Sequence, residues 1–155
     1  MLEKLRLLFE GDEKVAQAMH ASLVRLLDQD AYLLEKDVNE RSITHRLAMY
    51  MQNEFAGWDV DAEYNRNHDD KKVIPKAELI PSDDLNGQTV FPDIIVHRRG
   101  TDENLLVVEV KKTSNPEPTE KDLDKLGRLK DFLEYRYALF IRLQVGAEPG
   151  IAEVC

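Results

Sequence analysis

The sequence predicts a single α+β domain with a mixed sheet at its centre. Three observations carry that reading. Apolar residues recur at helical spacing up to Gly57; strict alternation and short apolar runs take over from Trp58; and one more leucine-striped helix stands between a hairpin and the last strand. At roughly 100 to 200 residues per domain, 155 residues make one domain with room for a core. With 43% hydrophobic and 33% charged residues, 7 Gly and 6 Pro, the composition excludes a low-complexity or disordered chain.

Taken in order, Leu2, Leu5, Leu8 and Phe9 form a short apolar turn, and Gly11-Asp12 punctuates it. Asp12 can cap a long helix striped by Val15, Ala18, Met19, Ser22, Leu23, Leu26 and Leu27. A second helix opens at Asn39-Glu40, places Ile43, Leu47, Tyr50, Met51 and Phe55 on one face, and stops at Gly57. Trp58, Val60, Ala62 and Tyr64 then alternate with Asp59, Asp61 and Glu63, the pattern of a strand with one buried and one wet face. Residues 65–89 are a long polar connection broken by Pro75, Pro81 and Asn86-Gly87, with Val73-Ile74 and Leu79-Ile80 as short strands.

Val90 to Arg98 and Asn104 to Lys112 read as a hairpin around a five-residue loop, Arg99 to Glu103. After the Ser114-Asn115-Pro116-Glu117-Pro118 break, Thr119 can cap a helix, with Asp122 closing the box and Leu123, Leu126, Leu129 and Leu133 as its stripe. Tyr137 to Val145 is the last strand, and residues 146–155 read as a tail. From residue 37 the order is α-β-β-β-α-β. Residues 1–36 form a helical extension outside that core, and its long helix offers a homodimer surface.

Charge and cysteine usage bound the function. The net charge of −9 argues against a protein that coats nucleic acid through counterion release. The acidity lies outside the middle of the chain, since residues 41–76 and 93–112 are each neutral. The single Cys155 cannot build a disulfide framework or a cysteine zinc site, which points to a reducing cytoplasm. The opening segment is too short and too charged for a signal peptide, and no apolar run reaches the roughly 20 residues of a membrane span.

The hairpin register carries the chemistry. A five-residue loop sets Arg98 opposite Asn104, Ile95 opposite Val107 and Asp93 opposite Glu109. Facing residues have Cβ atoms about 5 Å apart. Two carboxylates about 4 Å apart repel by about 4 kcal/mol at an effective dielectric of about 20. Their neighbours Ile94, Ile95, Val96 and Leu105 to Val108 are apolar, so a divalent cation or a raised carboxyl pKa must relieve the repulsion rather than solvent. Lys111 projects from the same face as Glu109, and Pro92, lacking an N–H, places Asp93 at an edge or bend. Glu40 shares a helix face with Ile43 and Leu47, although an acid in a first turn is also accounted for by the helix dipole.

Pro92-Asp93 followed sixteen residues later by Glu109-Val110-Lys111 resembles the signature of the PD-(D/E)XK nuclease superfamily. The α-β-β-β-α-β order over residues 38–145 is similar to its restriction-endonuclease-like core, and Glu40 matches the acid that many members carry on the first core helix. The resemblance implies a Mg²⁺- or Mn²⁺-dependent hydrolase that cleaves phosphodiester bonds in DNA, with RNA as the second choice. Asp93, Glu109 and the Val110 carbonyl would hold the metal, Glu40 would act directly or through water, and Lys111 would position the attacking water. Lys112 faces the other way and has no assigned chemistry. Arg66, Lys71, Lys72, Lys76, Arg98 and Arg99 are candidates to track a nucleic-acid backbone, and Lys125, on the wet side of its helix with Arg128 and Lys130, can reach the site.

The bland readings stand beside these. The acids Asp59, Asp61 and Glu63 read as a solvated strand face. His97 reads as a polar histidine at a strand end, and His20, His45 and His68 have no metal-ligand spacing. The rival function is the same fold with an inactive site, acting as a docking or regulatory module for nucleic acid or a protein.

Overall fold

The computed structural model describes residues 1–63, 66, 67, 70, 71 and 91–155. The expectations for Tyr64, His68, Lys72, Val73-Ile74, Lys76, Leu79-Ile80 and Val90, and those for the side chains of Arg66 and Lys71, lie outside the described residues.

The N-terminal stripes form α1 (Leu2–Leu8), α2 (Glu13–Gln29) and a short α3 (Ala31–Glu35) that the periodicity did not announce. Asp12 caps α2 by accepting from the Val15 N–H at 3.3 Å. The buried hydroxyl of Ser22 donates to the Ala18 carbonyl at 2.7 Å, which lets a polar residue sit in the apolar stripe. In α4 (Glu40–Glu54), Asn39 caps the helix through the Ser42 N–H at 2.8 Å.

The strands are β1 (Asp59–Ala62), the short ribbon β2 (Arg66–Asn67) and β3 (Asp70–Lys71), then β4 (Ile94–His97), β5 (Asn104–Lys112), β6 (Tyr137–Gln144) and β7 (Gly150–Val154). The helix α5 (Thr119–Phe132) connects β5 to β6. The main sheet has the order β1-β4-β5-β6-β7; β5 and β6 are parallel and the other neighbours antiparallel. This is the mixed α+β arrangement expected.

Sheet alternation sorts the core into two layers. Ile94, Val96, Leu106, Val108, Val110, Leu139, Ile141 and Leu143 pack with α1, α2 and α4, whereas Ile95, Val107 and Phe140 pack with Leu126 and Leu129 of α5 and with Leu133 at its C-terminal cap. Helices therefore cover both faces, which explains why β4 and β5 read as nearly continuous apolar runs.

Three expectations change. Residues 146–155 are not a free tail: Gly150–Val154 pairs with β6, Val154 is buried, and Phe140 and Cys155 exchange main-chain hydrogen bonds of 2.7 and 3.0 Å. The long N-terminal helix is not outside the core either. Its Val15, Met19, Leu23 and Leu26 are buried in the same cluster as the sheet, so its apolar stripe is covered within one chain. Finally, Thr119 does not cap α5. Pro118 occupies the cap position, Thr119 bonds Arg142 and Asp122 turns to Lys111, because both side chains face the sheet.

Burial separates positions that look alike in sequence. Leu47 is fully buried and Leu7 is 81% exposed. Leu47→Ala is expected to cost about 2 to 5 kcal/mol in urea unfolding, and Leu7→Ala less than about 0.5 kcal/mol. Equal effects would contradict this core.

Candidate metal centre

The site is built where β4 begins beside the far half of β5. The register pairs Ile94 with Val108, Ile95 with Val107 and Val96 with Leu106, as the hairpin arithmetic requires. Continued by one residue, it brings Asp93 to Glu109. At the tip the pairing departs from expectation: His97, not Arg98, faces Asn104. A bulge leaves Leu105 as the extra residue on β5, and the Arg98 N–H instead bonds the Glu103 carbonyl at 2.9 Å.

Asp93 sits at a bend just before β4, after the buried Pro92. Its main-chain carbonyl accepts from the Glu63 N–H at 3.0 Å, and its Oδ2 accepts from the Val110 N–H at 2.7 Å. A side chain thus takes the place of a ladder partner, which fixes the carboxyl against β5. Burial pushes the Asp93 carboxyl upward; the Val110 N–H and the Lys125 charge act against this, and Asp122 and Glu63 add to it.

Glu109 is 4% exposed. Burial, and then the charge of Asp93, push its carboxyl from an ordinary 4.5 up to about 8, against the pull of Lys125 and the Asp93 main-chain N–H. The Lys125 Nζ lies 2.8 Å from both carboxylate oxygens, hydrogen-bonded to Oε2 and ion-paired with the buried Oε1. Lys125 also donates to the Phe91 carbonyl at 3.0 Å.

Lys111 is buried on the same face, as expected, yet its ammonium is directed away from the two carboxylates. It pairs with Asp122 on α5 and lies 3.8 Å from Glu117. Lys112 points the other way, to Asp37 at 2.8 Å and the Val38 carbonyl at 2.7 Å. Glu40 comes from the opposite layer. Its Oε2 accepts from the Lys112 N–H at 3.2 Å, and burial raises its carboxyl, with the Asp93 charge adding to this and the Lys112 N–H opposing. Between the start of α4 and the end of β1 an open cleft of about 1010 Å³ is lined by Asn39, Glu40, Arg41, His45, Glu63 and Asp93, among others.

The cations at the hairpin tip do not join this site. They lie beyond the other end of β4 from Asp93, five and six residues along and so roughly 17 Å or more away at about 3.3 Å per residue. Arg98 pairs with Glu103 at 2.6 Å and stacks 4.4 Å over Trp58, while Arg99 pairs with Asp61. His97 also meets Asp61, at 2.8 Å, so Asp61 belongs to a part-buried ion cluster rather than a solvated strand face.

The sequence did not reveal the role of Asp122 and Glu117; Lys125, expected on the wet side of its helix but within reach of the site, meets Glu109 at 2.8 Å. The signal was present: Asp122, Lys125, Leu126 and Leu129 follow the i, i+3, i+4, i+7 spacing of one helical face. Reading Asp122 as half of a capping box concealed it.

Among the described residues no set of three His, Cys, Asp or Glu side chains is arranged to hold a metal ion. What converges is the pair Asp93 and Glu109. Two adjacent, largely buried carboxyls that resist ionisation fit a hard divalent cation held by oxygen donors. Glu40 is placed to support the end of β5 rather than to complete a three-carboxylate set.

The raised value of Glu109 gives a signed pH dependence. Its contribution to stability is fully present below the unfolded value of 4.5 and is lost as pH rises through about 8. In metal-free buffer, Glu109→Gln is therefore expected to gain in urea midpoint over the wild type as pH rises across that window. A constant offset between the two proteins would contradict the burial of this charge.

No protein-family model matches the chain, and searches of curated proteins and of solved structures return no match, so the functional reading rests on this geometry.

Proposed function

We propose that the chain is a metal-dependent nuclease with a restriction-endonuclease-like core, hydrolysing phosphodiester bonds in DNA before RNA. The observation that carries this reading is the buried apposition of Asp93 and Glu109 at the pairing of β4 with β5. The order α4-β1-β4-β5-α5-β6 around a mixed sheet agrees with it.

Asp93 and Glu109, with the Val110 carbonyl, would hold Mg²⁺ or Mn²⁺, which when bound supplies an activated water and offsets phosphate charge. The chain's own groups prepare the place. The Val110 N–H orients the Asp93 carboxyl, Glu40 anchors the end of β5 through the Lys112 N–H, and the apolar layers pack both faces of the sheet that carries them. Lys111 would position the attacking water and neutralise the scissile phosphate on exchanging its Asp122 partner for them. The docking-module reading has one observation in its favour: Lys111, Arg98 and Arg99 are all committed to acids, so these residues offer no ready basic groove.

A cleavage panel of single-stranded, double-stranded and branched DNA plus RNA, run with Mg²⁺, Mn²⁺ or chelator, tests the proposal. Cleavage is expected only with metal, and is expected to fall by about 10²-fold or more in Asp93→Ala and in Lys111→Ala. Cleavage that survives chelation, or that survives Asp93→Ala, would refute the assignment. Absent cleavage together with absent Mn²⁺ binding would transfer the case to a docking module.

A further inference from the structure

Helix α5 crosses the strand that carries the site and exchanges charges with it in both directions. Its Asp122 takes the ammonium of Lys111, and one turn later its Lys125 supplies an ammonium to Glu109. Among the described residues Lys125 is the one cation ion-paired to Glu109, at 2.8 Å. The two partners differ in how firmly they are held. The Glu109 side chain is 6% exposed and fixed in the sheet, whereas the Lys125 side chain is 31% exposed on a flexible four-carbon stem.

The ammonium therefore sits where a divalent cation must approach Glu109, and a cation that binds there replaces one positive charge with two. Lys125 can swing toward solvent, since among the described residues its other hydrogen bond is to the Phe91 carbonyl. Glu109 cannot follow. We propose that Lys125 is a resident counter-cation that competes with the divalent metal for Glu109, so that α5 sets the metal affinity of the site. The proposal rests on the metal-site reading above.

The test is Mn²⁺ binding by calorimetry at one pH and ionic strength, on wild type, Lys125→Met and Glu109→Gln, with folding checked by circular dichroism. Met retains the apolar stem while removing the charge, and Lys125→Gln serves as a second neutral variant if the first fails to fold. Removing the competitor is expected to tighten Mn²⁺ binding by about tenfold or more, and to enlarge the rise in melting temperature that Mn²⁺ produces. Glu109→Gln is expected to abolish both. Equal or weaker binding in the neutral Lys125 variants, with the wild type still binding, overturns the competition and leaves the metal site intact. Absence of Mn²⁺ binding in every variant overturns both.

Discussion

Placing Glu109 in a strand that is covered on both faces is the constraint around which the rest of this structure is arranged. Burying a carboxylate is costly unless it is compensated, and here a second carboxylate, Asp93, is brought beside it by the pairing of β4 with β5. The fold cannot relieve the conflict by moving either group. Asp93 is tied to the Val110 N–H, and Glu109 sits between Val108 and Val110, which both face the opposite core. Cationic compensation must come from outside the strand, and α5 is the element that delivers it.

The layers have different tasks in consequence. On one face α1, α2 and α4 form the larger apolar cluster with the sheet and make it rigid, and α4 contributes Glu40 to anchor the end of β5. On the other face α5 has a smaller apolar contact, centred on Leu126, Leu129 and Phe140, and spends its first two turns on ion pairs with Lys111 and Glu109. A rigid sheet that holds the acids, facing a helix whose charged side chains are partly exposed, lets one partner of each pair rearrange while the other stays fixed. That division is what a cation site needs: preorganised oxygen donors and a displaceable counter-ion.

Much of the centre was legible from the chain itself. The apposition of Asp93 and Glu109 follows from a short hairpin and a side-chain period of two, both local properties, and the covering of both faces follows from the apolar run Leu105–Val108. The helices α2 and α4 announced themselves by stripe and cap. The errors lie where a local rule competed with a distant partner. Thr119 and Asp122 have capping-box spacing, but Arg142 and Lys111 claimed them. Arg98 and Arg99, read as candidates to track a phosphate backbone, are half-exposed and ion-paired to Glu103 and Asp61. The last residues lack strong alternation, yet the open edge of β6 recruited them as β7.

The sequence by itself determined the long helices, the central strands, the register of the hairpin from Ile94 to Val96 and the presence of two facing acids, because each depends on spacing along a few neighbouring residues. Only the tertiary structure decided which charge meets which. Lysine and arginine side chains reach several ångströms and select partners among groups distant in the chain, so the crossing of α5 over β5, and not any local pattern, assigned Lys125 to Glu109 and Lys111 to Asp122.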